Sequence, residues 1–158
     1  RIGVVSDTHN NLRNVRRIVE LFNEARVDRV VHTGDITQPK TLDVLAALRA
    51  PLVGVFGNND EREALAEAAR RYGFELHEPP LDLLWHERRI LVVHDPLEIE
   101  RHVAGHDVVL HGHDHSRVIE RRDGRLLFNP GECAGHLEGR NAVGVVDLRS
   151  LEAQILQF

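Results

Sequence analysis

Short runs of valine, isoleucine and leucine alternate with segments of helical period through the first half of this chain, the pattern of βαβ units and a largely parallel sheet. Residues 2–6 read as a buried strand. Leu12, Val15, Ile18, Val19 and Phe22 then recur at helical spacing, with Arg13, Arg16, Arg17 and Glu20 on the opposite face. A second strand is predicted over 29–33 and a third over 52–56. Between them, Pro39 followed by Leu42, Val44, Leu45 and Leu48 predicts a second helix. Asp60 and Glu63 form a capping-box-like pair ahead of an alanine-rich helix reaching Tyr72.

The second half changes character. Residues 81–85, 90–93 and 108–110 read as strands, with a short helix starting at Asp95-Pro96. Strands over 118–121 and 126–128 flank Asp123-Gly124, a favoured two-residue hairpin turn, and 143–148 pairs with 153–158 as a terminal antiparallel unit. Residues 131–144 carry four glycines and read either as a loop over a pocket or as a plain connection. With no repeat and no linker, the helix-rich and strand-rich halves should share one core, so residues 1–158 are taken as a single domain. Two packed sheets with helices outside fit this pattern.

A chain of 158 residues with 42% apolar positions can bury a core without disulfides or a structural metal, so any metal is expected to be functional. Cys133, the single cysteine, has no internal partner, and no apolar run approaches the ~20 residues that cross a bilayer. The expectation is a soluble, cytoplasmic protein with no membrane partner. Its 20 basic and 25 acidic side chains leave a net charge of −5. That balance argues against duplex nucleic acid, while leaving room for a local cationic site that takes a small phosphorylated ligand. Homo-oligomerisation is compatible with the sequence. The unusual count is 11 histidines.

Five apolar runs each end close to metal-capable side chains: at Asp7-Thr8-His9, Gly34-Asp35, Gly57-Asn58-Asn59-Asp60, His94-Asp95 and His111-Gly112-His113-Asp114-His115. Strand C-termini of a parallel sheet share one edge, where ligands bind, so these distant residues are predicted to converge on one pocket. Asp7, His9, Asp35, Asn58, His94, His113 and His115 are the candidate metal ligands. Their mix of carboxylate, imidazole and amide oxygen suits borderline divalent ions, manganese first, with nickel, iron, zinc or cobalt also served. If Asp35 bridges, the seven residues make two sites of four ligands each. Two ions ~4 Å apart clamp the attacking and leaving oxygens of a phosphoryl displacement and turn a bridging water into hydroxide near neutral pH. The expected reaction is hydrolysis of a small phosphate ester by in-line attack, with Asn58, Asp35 and His94 as the residues nearest the chemistry.

These five motifs, in this order and followed by Asn129-Pro130-Gly131, resemble the calcineurin-like metallophosphoesterases, in particular their small bacterial and archaeal phosphodiesterase branch. The resemblance spans essentially the whole chain. It implies an α/β fold, a four-layer αββα sandwich of two mixed sheets flanked by helices. It further implies Asp7, His9, Asp35 and His115 around one ion and Asp35, Asn58, His94 and His113 around the other. Activity on phosphodiesters or phosphomonoesters follows, diesters being favoured. The rival reading is a non-catalytic scaffold, the role of a eukaryotic retromer subunit of the same family. Intact ligand positions speak against it, since a scaffold is free to lose them.

The chain departs from the family pattern at Asn59, where many members carry a histidine and where an amide cannot protonate a leaving group. It departs also at Asp95, which replaces a glycine and reads as a helix cap or a support for the site, and at Asn10. His32, His77, His86, His102, His106 and His136 are expected in surface or structural roles, and His111 is left unassigned. Asp60 is read as a helix cap with a supporting role open to it, Asp114 as solvated, and Cys133 as a small buried hydrophobe. Arg13 and Arg62 are read as lying on solvated helix faces.

Overall fold

The computed structural model describes residues 1–136 and 139–158. In chain order its first elements are β1 (Ile2–Val5), α1 (Leu12–Ala25), β2 (Arg29–His32), α2 (Pro39–Leu45), β3 (Leu52–Val55), α3 (Arg62–Tyr72) and β4 (Glu75–His77). There follow β5 (Leu81–Trp85), β6 (Arg88–Val92), a 3-10 turn (Pro96–Glu98), α4 (Ile99–His102), β7 (Val108–Leu110), β8 (Val118–Arg122), β9 (Arg125–Asn129), β10 (Ala142–Asp147) and β11 (Glu152–Gln157). One sheet has the order β11-β10-β1-β2-β3-β4, with β1 to β4 parallel and the last two strands of the chain antiparallel. The other has the order β5-β6-β7-β9-β8, parallel through its centre and antiparallel at both edges.

Alternation along the central strands builds the layers, because successive side chains point to opposite faces of a strand. Val5 and Val30 join Val15, Ile18, Phe22, Leu42 and Leu65 under the helices of the first half. Their neighbours Val4 and Val31 point the other way, into a core shared with Ile90, Val92, Val108, Leu110 and Phe128 of the second sheet. Leu91, Val93 and Val109 in turn face outward onto Ile99 of α4. Helices, sheet, sheet and helix therefore form the four layers of an αββα sandwich.

The predicted elements are present with shifted ends. The sequence pattern does not predict β4, a three-residue edge strand whose single inward residue, Leu76, sits between two exposed polar neighbours. A capping pair at Asp60 and Glu63 does not form: Glu61 is the N-cap residue of α3 and makes no side-chain cap. The hairpin turn is as expected, with Asp123 and Gly124 both at positive φ, 54° and 78°. Of the glycine-bearing stretch 131–144, residues 137 and 138 lie outside the described residues, so its reading as loop or connection lies partly outside them too.

Gly144 of β10 leaves the space that the buried Phe128 ring fills between the sheets, and a Cβ there would overlap that ring. Gly144→Ala is therefore expected to cost about 1–3 kcal/mol of stability by overpacking, read as a lower urea midpoint with an unchanged slope.

Candidate metal centre

The seven candidate ligands all emerge from C-terminal strand ends. Asp7 and His9 follow β1, Asp35 follows β2, Asn58 follows β3, His94 follows β6, and His113 and His115 follow β7. Parallel pairing aligns the first three of these ends in one sheet and the other two in the second, so the seven meet along one rim of the sandwich. Five of them are held in the left-handed backbone region: Asp7 at φ 52°, His9 at 47°, Asp35 at 61°, His113 at 75° and His115 at 58°. Non-glycine residues there cost of order 1–3 kcal/mol each and persist only where the surroundings over-determine them. The turns close tightly over the carboxylates. A Cβ at Gly112 would overlap the Ser6 hydroxyl and come within 2.8 Å of Asp7 Oδ2.

The polar atoms are divided between those occupied by protein and those left facing inward. Asp7 Oδ2 accepts from the Ser6 hydroxyl at 2.7 Å and from the His113 amide at 3.0 Å. Asp7 Oδ1 is buried without a hydrogen bond and lies 3.8 Å from His115 Nε2. His9 Nε2 is likewise buried without one, 3.6 Å from Asp35 Oδ2. Asp35 accepts from the Asn59 amide and from Asn59 Nδ2, both at 3.0 Å, and its Oδ2 stands 3.5 Å from His94 Nε2. His94 Nδ1 lies 2.9 Å from the Thr33 carbonyl. That contact places the ring proton on Nδ1, so in neutral His94 the Nε2 lone pair points inward. It meets Asn58 Oδ1 at 3.0 Å and His113 Nδ1 at 3.2 Å.

Burial raises the Asp7 carboxyl above the ordinary range, against the lowering by Ser6 and the nearby histidines. Asp35 also suffers from burial, but hydrogen bonds from His94 and Asn59 outweigh it and hold that carboxyl below the ordinary range. Burial depresses His94, and Asp35 more than reverses the effect. Asp7 Oδ1 and His9 Nε2, buried without hydrogen bonds, are a poor arrangement for neutral groups and a good one for cations. The residues present thus fit divalent ions: one group of converging ligand atoms belongs to Asp7, His9 and His115, and another to Asp7, Asp35 and His94.

Several supporting residues differ from expectation. Asp60, read as a helix cap with a supporting role open to it, takes the supporting role: it accepts from the amides of Asp35 at 3.1 Å, Thr37 at 2.6 Å and Gly57 at 2.6 Å, tying the loop after β2 to the loop after β3. Asp114 is exposed, yet its Oδ1 takes the Ser116 amide and Asn129 Nδ2, which joins the His113–His115 turn to the end of β9. His136, expected in a surface or structural role, is exposed but stacks on His115 with ring centroids 5.4 Å apart. With Glu132 and His115 it makes a third group of ligand-capable atoms within 4.8 Å of one another. His136 lies well beyond the end of β9 at Asn129, farther than any of the seven from its strand, so the rule that singled them out passes over it. Asp95 takes both readings, capping Leu97 through Oδ1 at 2.9 Å and standing 4.0 Å from His113 Nε2 through Oδ2. Asn10 is engaged with Gln38 and Thr41.

Of the other histidines, His77 and His86 are exposed, His102 is half-buried, and His106 is buried against Asp82. His111 is buried with Nδ1 lacking a hydrogen bond. His32 is fully buried, its Nδ1 accepting from the Gly34 amide and its Nε2 facing Thr8 Oγ1, both at 3.0 Å. Arg13 is exposed on α1, while Arg62 lies over the Phe56 ring and pairs with Glu78. Cys133 is buried, with its thiol donating to the Ala142 carbonyl.

A sequence model of the calcineurin-like phosphoesterase superfamily domain matches residues 1–151. The chain is 34% identical to a phosphodiesterase of Methanocaldococcus jannaschii over 158 residues, covering 96% of this chain and 95% of that one. Among solved structures it resembles an archaeal phosphodiesterase with a TM-score of 0.91 and 32% identity, over 99% of both chains. An Escherichia coli phosphoesterase shares the fold, with a TM-score of 0.74 and 21% identity over 98% of this chain and 97% of that one.

Asp60→Asn should destabilise the chain by roughly 2–4 kcal/mol in urea unfolding, because an amide NH2 would face backbone donors that now share a carboxylate. His32 gives a pH signature. Burial lowers it from 6.5 to about 3, so the folded chain holds it neutral and the unfolded chain protonates it first. Its contribution is complete above the unfolded value and is lost as pH falls toward the folded one, at up to about 1.4 kcal/mol per pH unit. Between pH 6.5 and 4, unfolding free energy should therefore fall more steeply in the wild type than in His32→Gln.

Proposed function

The chain belongs to the calcineurin-like phosphoesterase superfamily, and from that membership we propose that it is a dinuclear-metal-dependent phosphodiesterase, residues 1–158 forming one catalytic domain. It is a metal-dependent phosphoric ester hydrolase acting on a small phosphate ester. The observation carrying the dinuclear reading is the position of Asp35 Oδ2 between His9 Nε2 and His94 Nε2, at 3.6 and 3.5 Å. Asp7, His9, Asp35 and His115 would hold one ion, and Asp35, Asn58, His94 and His113 the other. Two divalent cations there, manganese foremost, would supply Lewis acidity toward the phosphoryl oxygens and toward an attacking water.

The chain's own groups prepare that pocket. Asn59 donates twice to Asp35 and so fixes the shared carboxylate. The Thr33 carbonyl holds His94 with Nε2 inward. Asn58 is exposed at the rim, its Oδ1 turned toward His94 and its Nδ2 available to donate to a phosphoryl oxygen. With its amide committed to Asp35, Asn59 offers no proton to a departing alkoxide, which favours esters whose leaving groups need little help. The M. jannaschii relative's description as a phosphodiesterase supports the diester preference. No helix among the described residues is long and apolar enough to cross a membrane, and the cytoplasmic setting we favour suits a lone reduced cysteine.

Chelation should abolish hydrolysis of bis(p-nitrophenyl) phosphate and added manganese restore it. Asp35→Asn and His94→Ala should each lower kcat/KM by more than the roughly 10–100-fold typical of losing an outer partner of a metal ligand. Monoester turnover exceeding diester turnover tenfold would overturn the diesterase preference.

A further inference from the structure

Two hollows flank the candidate centre, and their chemistry differs. On the Asn58 and His94 side the wall is apolar and acidic: Phe56, Pro79 and Pro80 with Asp95 and Glu98. Its one guanidinium, Arg62, is already paired with Glu78. On the far side of His115 lies a hollow of about 310 Å³, lined by His115, Ser116, Arg117, Gly131 and Arg140. Ser116, Arg117 and Arg140 are all exposed, and neither arginine forms an ion pair among the described residues.

This second hollow is built onto the centre by fixed contacts. The Ser116 amide and Asn129 Nδ2 share Asp114 Oδ1, and Arg117 Nε donates to the Pro130 carbonyl at 3.4 Å. The Ser116 backbone and the Arg117 guanidinium therefore keep a set offset from His115, and Arg140 lines the same hollow. Two guanidinium forks and a hydroxyl in a concavity match the oxygens of a phosphate or carboxylate, whereas Asp95 and Glu98 repel such a group from the opposite flank.

We propose that the hollow formed by Ser116, Arg117 and Arg140 binds a second anionic group, phosphate or carboxylate, carried on one arm of the diester. It thereby orients the substrate, with the charged arm beyond His115 and the uncharged arm toward Phe56. The inference rests on the phosphodiesterase reading and adds the class of diester.

The test uses matched esters on the metal-loaded protein. The p-nitrophenyl ester of thymidine 3′-phosphate is compared with the same ester carrying a 5′-phosphate, and a p-nitrophenyl phosphodiester of ethanol with that of glycolate. KM should be about tenfold lower for the phosphate-bearing or carboxylate-bearing member of a pair. Which pair shows the gain identifies the anion, and the gain should shrink with added salt. In Arg117→Gln/Arg140→Gln the ratio within each pair should fall to about one, while Arg117→Lys/Arg140→Lys keeps part of it. Because the ratio is taken within one protein, a general loss of folding does not imitate this result. Equal KM values in both wild-type pairs, or a ratio unchanged in the glutamine variant, would overturn the proposal while leaving the diesterase reading intact. Calorimetric binding of thymidine 3′,5′-bisphosphate against thymidine 3′-phosphate separates the two claims. An arginine-dependent preference without turnover retains the subsite and removes the reaction; loss of both preference and turnover removes both.

Discussion

Two carboxylates buried side by side at the meeting edge of two sheets constrain everything around them. Asp7 and Asp35 are almost wholly removed from water, where an uncompensated charge is costly. The protein compensates Asp35 through Asn59 and His94, but it compensates only one oxygen of Asp7, through Ser6 and the His113 amide. Asp7 Oδ1 and His9 Nε2 are left buried without a hydrogen bond, facing the same space as Asn58 Oδ1 and His94 Nε2. Cations would complete that arrangement.

Holding such a set apart requires strain and rigid support. Five ligand-bearing residues occupy the left-handed backbone region, and glycines at 57 and 112 let the loops close over the carboxylates. Asp60 is the main brace: one carboxylate gathers three backbone amides from two loops and so sets the distance between Asp35 and Asn58. Behind this rim, the alternating valines of β1 and β2 anchor the strands from both sides. A core closed on both faces cannot yield, so the strain concentrates at the strand ends and stays there.

The same architecture gives the rim two unlike flanks. Phe56, Pro79 and Pro80 close one, and Arg117 and Arg140 the other, with the candidate centre between them. Against a net charge of −5, a concave pair of arginines without ion pairs among the described residues is a local reversal of sign. Discrimination between phosphate esters would then come from the flanks, and reactivity from the buried ligands they share.

Period-two and period-3.6 patterning was enough to locate the helices and every strand but β4, and with them the candidate ligands, because in a parallel sheet the end of each buried run marks a shared edge. Asp7, His9, Asp35, Asn58, His94, His113 and His115 could be named on that ground alone. What patterning could not supply were contacts made sideways between loops. Asp60 has the spacing of a helix cap and serves as a brace; Asp114 has no pattern and joins two loops; His136 lies well past the end of β9 and reaches His115 through a ring stack. β4 escaped because one inward leucine carries no period. Periodicity records which face of an element meets the core, whereas hydrogen bonds between loops depend on where separate elements come to rest, and only the packed fold decides that.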